Sequence, residues 1–80
     1  MNGNKEEFRE EFRLLGLRIA YYRRKLGLTQ EELADQIGCS WSFLSQLEAN
    51  SGTRIPAPSL LLLFRMAKFF DIPVTKLFDD

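Results

Sequence analysis

Histidine is absent and cysteine occurs once, as Cys39, in a chain of 80 residues. The first absence removes the side chain that most acid–base catalysis uses near neutral pH. Together they leave no Cys/His set for a structural zinc, and a lone thiol cannot close an internal disulfide. A chain of this kind suits a reducing cytosol, so a cytoplasmic location is expected. Long apolar runs are missing too: nothing approaches the roughly 18 consecutive apolar residues of a membrane span. The opening MNGNKEEFREEF is too charged for a secretory signal. There is no glycine-rich phosphate loop, no strand-like alternation and no repeat. Neither an enzyme, a metal nor a cofactor is expected.

What is present is a high apolar content, 45% with seven phenylalanines, enough for one small core without staples. The formal net charge is zero, which by itself argues against a polyanionic partner. The distribution is less even. Arg13, Arg18, Arg23, Arg24 and Lys25 fall between Phe12 and Leu28 with no acid among them, and Arg54, Arg65 and Lys68 follow later. Two readings stand open: one basic face on a neutral molecule, or a solvated surface of mixed sign.

The periodicity predicts five helices. Phe8, Phe12, Leu15, Ile19, Tyr22 and Leu26 recur at spacings of three and four, an apolar stripe on a first helix. Asn4 with Glu7 is a candidate cap for it, and Gly27 ends it. Gly16 leaves open one long helix or two short ones. LTQEELADQIG forms a second helix with Thr29 as N-cap, Glu32 as its reciprocal partner, and Leu28, Leu33, Ala34 and Ile37 inward. Gly38 stops it, and Ser40 caps a third helix from Trp41 to about Glu48 with Leu44 and Leu47 inward. So short a turn forces the two helices to cross steeply. ANSGTRIPAPS is a loop. Ser59 caps a fourth helix to Phe70, with Leu60, Leu63, Met66, Ala67 and Phe70 inward. Pro73 presets a last short helix, Val74 to Phe78.

Four segments, LGLRI, GLTQEELADQIG, SWSFLSQLE and PSLLLLFRMAKFFDIPVTKLF, together resemble the Cro/repressor-type, XRE-like helix-turn-helix regulators. The resemblance runs from about Leu15 to Phe78, and several helix boundaries and core positions agree in it at once. It implies an all-α, five-helix, lambda-repressor-like DNA-binding domain, residues 14–80, behind an N-terminal helical extension, residues 1–13. In that family the third helix lies in the major groove of DNA. With Leu44 and Leu47 inward, Trp41, Ser42, Ser45 and Gln46 become candidate base contacts. Gln46 suits adenine N6 and N7, the serines suit bases or phosphates, and Trp41 suits a thymine methyl or the sugar–phosphate wall. The alternatives are a partly buried aromatic staple at Trp41 and a merely solvated Gln46. Phe43 matches an aromatic that packs on the junction of helices two and three.

Gln30 matches a family position that contacts a phosphate, and helix N-termini attract anions in any case. Arg24 and Lys25 are further phosphate candidates, or simply favourable charges at a helix C-terminus. Arg23 and Glu48 match an architectural ion pair tying the first helix to the end of the third. The loop after Glu48 is longer than the family pattern, with the excess around SGTR, so Asn50, Ser51, Gly52, Thr53 and Arg54 are candidate phosphate contacts or an exposed loop without a partner.

Surplus apolar residues remain. Leu61, Leu62, Phe64 and Phe69 exceed what one helix face can bury, and Phe8 and Phe12 lie upstream of the usual domain start. Phe8, Phe12, Leu61 and Phe69 are therefore candidates for a homodimer interface, the alternative being an N-terminal segment that covers the fourth helix within one chain. The expected partner is a palindromic double-stranded operator bound by a dimer; no small-molecule effector is expected. A phage-type repressor, a restriction–modification controller protein and an antitoxin all fit, the length favouring the controller or Cro-like options. The competing class is a protein-interaction module using the same fold as a scaffold.

Overall fold

The computed structural model describes residues 5–49 and 55–79. Four α-helices account for most of them: α1 Arg9–Lys25, α2 Gln30–Ile37, α3 Trp41–Ala49 and α4 Leu60–Phe70. A 3-10 turn, Lys5–Phe8, leads into α1, and another, Val74–Leu77, closes the fold. The expected fifth α-helix is thus corrected to a single 3-10 turn. Its Lys76 N–H donates to the Pro73 carbonyl and the Phe78 N–H to the Thr75 carbonyl, both at 3.0 Å. Four residues close this tighter i→i+3 pattern but are too few for a ladder of i→i+4 bonds. No strand occurs among the described residues.

α1 is one uninterrupted helix through Gly16. Asn4 lies outside the described residues; Phe8 occupies the N-cap without a side-chain bond, and Glu10 and Glu11 favour the positive end of the helix. Gly27, at φ +72°, ends it in a backbone conformation that glycine adopts without strain. Of the stripe, Leu15 and Ile19 are buried and Phe12 and Tyr22 partly so, whereas Phe8 and Leu26 are exposed. Those two fall just outside the helix, beyond the face that α3 and α4 cover.

Gly16 does not kink α1; it admits α3. A Cβ at this position would sit 2.1 Å from the Leu47 carbonyl oxygen, so the two helix backbones touch. α2 begins with the reciprocal cap: Thr29 Oγ1 accepts from the Glu32 N–H at 3.1 Å while the Thr29 N–H donates to the Glu32 carboxylate at 2.9 Å. Gly38, φ +77°, ends it. Ser40 Oγ accepts from the Phe43 N–H at 3.0 Å at the start of α3, and Ser59 Oγ from the Leu62 N–H at 3.1 Å at the start of α4.

α4 is phased differently from expectation. Leu62, Leu63, Met66, Ala67 and Phe70 are buried, Leu60 is 69% exposed, and Leu61 and Phe64 are exposed beside it. At about 100° per residue the buried five span one continuous arc, with Leu60 beyond one edge and the half-buried Phe69 at the other. The core takes one fully buried side chain or more from every helix and from the closing turn: Ile19, Leu33, Leu44, Leu47, Met66 and Leu77. The Tyr22 ring stacks on Phe70 at its rim, centroids 5.6 Å apart.

Candidate nucleic-acid interface

Three residues separate Ile37 from Trp41, so α2 and α3 are fixed tightly to one another. Leu44 and Leu47 have no exposed surface, and this sets which way the rest of α3 points. Trp41, Ser42 and Gln46 are exposed and Ser45 is half-buried. Gln46 Nε2 donates to Ser42 Oγ at 3.3 Å, one turn back along this outer row. Phe43 is partly buried against the core rather than part of the row.

Beneath the row runs a connected set of polar groups. Arg23 Nε and Nη2 donate to the two Glu48 carboxylate oxygens at 2.8 and 2.9 Å, and Nη1 donates to the Leu28 carbonyl at 2.6 Å. Both residues are nearly out of solvent, at 8% and 9% exposure. This two-pronged geometry is the strong form of the Arg–carboxylate contact. It joins α1, the residue before the Thr29 cap, and the end of α3. Gln30 Nε2 is the third donor to the Glu48 carboxylate, meeting Oε1 at 3.0 Å, and Gln30 Oε1 accepts from the Trp41 indole N–H at 3.2 Å. Trp41 is nevertheless 56% exposed. It is no buried staple: its nitrogen is bonded inward and its carbon surface is open.

The basic residues divide. Arg23 is consumed by Glu48, and Arg13 pairs with Glu10 across one turn of α1. Glu10 is held below the usual carboxylate range by the Arg13 hydrogen bond. Arg24 and Lys25 are exposed at the end of α1, the Lys25 ammonium lying 5.8 Å from the Tyr21 ring centroid. The loop candidates Asn50, Ser51, Gly52, Thr53 and Arg54 lie outside the described residues. Among the described residues no group of His, Cys, Asp or Glu is placed to hold a metal ion, and no helix is long and apolar enough to cross a membrane.

Two short helices joined by a glycine turn, the second carrying an exposed polar row, are what a helix-turn-helix consists of. Residues 19–77 match the family model described as helix-turn-helix. The chain belongs to the XRE-like helix-turn-helix family. It is 34% identical over 67 residues to the HTH-type transcriptional regulator SinR of Bacillus subtilis, covering 84% of this chain and 58% of SinR. It is 36% identical over 61 residues to an uncharacterized HTH-type transcriptional regulator of Methanocaldococcus jannaschii, covering 76% of this chain and 86% of that one. The chain therefore spans little more than half the length of SinR. Among solved structures it is similar to the restriction-modification controller protein C.AhdI from Aeromonas hydrophila. That match has a TM-score of 0.74 and 28% identity, over 86% of this chain and 98% of that one. The N-terminal DNA-binding domain of SinR gives a TM-score of 0.72 at 34% identity, over 85% and 94%. SinR and the Methanocaldococcus jannaschii protein are named as transcriptional regulators, a non-enzymatic kind of protein.

In this helix-turn-helix chain two features escaped sequence reasoning. The contact between Gln30 and Trp41 joins residues taken separately as outward-facing, and only the geometry of the turn shows that they meet. The close approach at Gly16 did leave a signal, since an isolated glycine inside an apolar helical pattern points to a packing reason. The dimer candidates separate as well. Phe8 and Phe12 line an apolar cleft of about 210 Å³ with Glu11, Leu15 and Phe78. Leu61 lies instead on the exposed apolar face of α4 with Leu60 and Phe64, and Phe69 is partly buried against the core.

Proposed function

We propose that this chain is a sequence-specific double-stranded DNA-binding regulator of transcription that acts as a homodimer. α3 enters the major groove, where Trp41, Ser42, Ser45 and Gln46 face base edges. Phosphates are met by the N-terminus of α2 at Gln30, by Arg24 and Lys25, and by Asn50, Ser51, Thr53 and Arg54 of the following loop. Gln30 approaches a phosphate through its backbone N–H and its second amide hydrogen, because the first is given to Glu48. The observation that carries the proposal is the outer row of α3. It is polar and aromatic, it stands clear of the core, and it is held in register by the Arg23–Glu48 pair at its far end.

Dimerisation rests on exposed apolar surface, either Leu60, Leu61 and Phe64 on α4 or the Phe8/Phe12/Phe78 cleft. A two-fold dimer presents two recognition helices about one DNA turn apart and so calls for a palindromic operator. The α4 face also supports a second reading, a module whose principal partner is another protein, an antitoxin being one such case.

Selection of bound duplexes from a random pool, followed by salt titration of the selected site, tests the proposal. Expected is a palindromic site whose affinity falls with salt at a log–log slope of about −0.9 per phosphate contacted. A chain that enriches no sequence and binds no duplex at low ionic strength refutes it. Association with a protein that ignores salt then supports the second reading.

A further inference from the structure

A tryptophan stands at the mouth of α3, and its one polar atom is already engaged. The indole N–H is donated to Gln30 Oε1, and Gln30 Nε2 is donated to Glu48 Oε1. One orientation of the Gln30 amide satisfies both neighbours: a carboxylate only accepts and an indole N–H only donates. Glu48 is in turn immobilised by both prongs of Arg23. The ring is therefore tethered at its nitrogen while 56% of the residue stays open. While that bond holds, the N–H is not available to a base. What Trp41 offers an incoming duplex is carbon.

Base edges in the major groove consist mainly of hydrogen-bonding groups, namely purine N7, guanine O6, adenine N6, cytosine N4 and thymine O4. Against the indole's carbon surface each of the polar groups is desolvated without return. The one protruding apolar group is the C5-methyl of thymine. We propose that Trp41 is a specificity residue that selects a pyrimidine C5-methyl in each half-site, and that Gln30 is the positioning residue that holds the ring for it. The inference rests on the duplex-binding reading above and deepens it: what is recognised at this step is a methyl group, not a hydrogen-bonding pattern. Ser42 and Gln46, joined to one another on the same face, are left to read the neighbouring polar edges.

Deoxyuridine tests this directly, because it removes the methyl and leaves every hydrogen-bonding group in place. Each thymine of the selected site is replaced in turn, symmetrically in both half-sites, and affinity is measured for the unaltered chain, Trp41→Ala and Gln30→Ala. Burial of one methyl corresponds to about a fourfold change in affinity, so a site substituted in both halves is expected to bind roughly fifteenfold more weakly at one position. In Trp41→Ala the thymine-to-uracil ratio at that position falls to near one. In Gln30→Ala it falls part of the way, beyond any uniform loss of affinity from a lost phosphate contact. Circular dichroism of both variants checks that the helices are retained. Selected half-sites without thymine, no position with a loss above twofold, or a loss that persists in Trp41→Ala overturns the inference alone. If the unaltered chain binds no duplex, the duplex-binding reading falls and this inference with it.

Discussion

Gly16→Ala separates a close-packed helix crossing from an incidental glycine by the sign of its effect. In an exposed helix interior, alanine is favoured over glycine by about 0.8–1.0 kcal/mol, so a glycine with open space above it would be stabilised by the change. Here the new Cβ would lie 2.1 Å from the Leu47 carbonyl oxygen and 3.1 Å from its carbonyl carbon. Both are backbone atoms, and no rotamer change relieves them. To reach ordinary contact α3 must move away from α1 by roughly 1 Å, and with no side chain able to give way the overpacking strain falls in the upper part of the usual range, about 2–3 kcal/mol. The same shift pulls on the Arg23–Glu48 contacts at 2.8 and 2.9 Å, which span the two helices. The expected net is a loss of about 1–2 kcal/mol after the propensity gain, or a Tm lowered by roughly 5–15 °C in a domain this small. Thermal unfolding followed by far-ultraviolet circular dichroism reads it. An unchanged or raised Tm would refute the reasoning, because it would mean that the backbones are not in contact.

Further perturbations address the buried polar groups and the thiol. Glu48→Ala leaves the Arg23 guanidinium buried without its carboxylate and Gln30 without its acceptor, an expected loss of about 3–5 kcal/mol in urea unfolding. Replacing both Arg23 and Glu48 by leucine costs less than the sum of the two single changes; additive losses would show that the pair does not act as a unit. An Arg23→Ala chain that keeps full stability and loses only DNA affinity would contradict the architectural role. Burial pushes the Cys39 thiol above its ordinary value. Its alkylation rate should keep rising at pH values where an unfolded control has levelled off, and an earlier plateau than the control's would count against burial as the cause. The sign for stability follows. The unfolded chain releases this proton at lower pH than the folded one, so the contribution is complete below the unfolded pKa and is lost as pH rises through the folded value.

Helix ends were legible because their signals are local. Thr29 with Glu32, Ser40, Ser59, Gly27 and Gly38 each fix a terminus through atoms within a few residues, and each does so in the structure. The phase of α4 was not. In LLLLF every position is apolar, so periodicity carries no direction, and only the helices it meets decide that Leu62 turns inward and Leu60 outward. The closing element failed for a different reason. Pro73 sets where it starts, but no feature of VTKL separates one turn of α-helix from one turn of 3-10. The candidate site divides along the same line. The exposure of Trp41, Ser42 and Gln46 follows from burying Leu44 and Leu47, which is a matter of spacing. The inward bond of Trp41 depends on Gln30, eleven residues away, and spacing along one helix says nothing about it.

That bond changes what the Arg23–Glu48 pair is for. Buried ion pairs add little net stability compared with well-packed apolar residues, so stability alone is a weak account of two charges in so small a core. Glu48 has a second use: the same carboxylate oxygen that meets Arg23 accepts from Gln30, and Gln30 sets the indole at the surface. Four side chains from α1, α2 and α3 thus form one continuous line from the interior to the outer face of α3. A leucine pair at 23 and 48 could hold the helices together, but it could not orient the Gln30 amide, and without that amide the indole has no fixed position. On this argument the double leucine variant is the informative one. It should recover much of the stability lost by Glu48→Ala and still lose part of the thymine-to-uracil discrimination, as Gln30→Ala does. If it kept that discrimination, the ion pair would serve packing alone, and the orientation of Trp41 would have to come from somewhere other than Gln30.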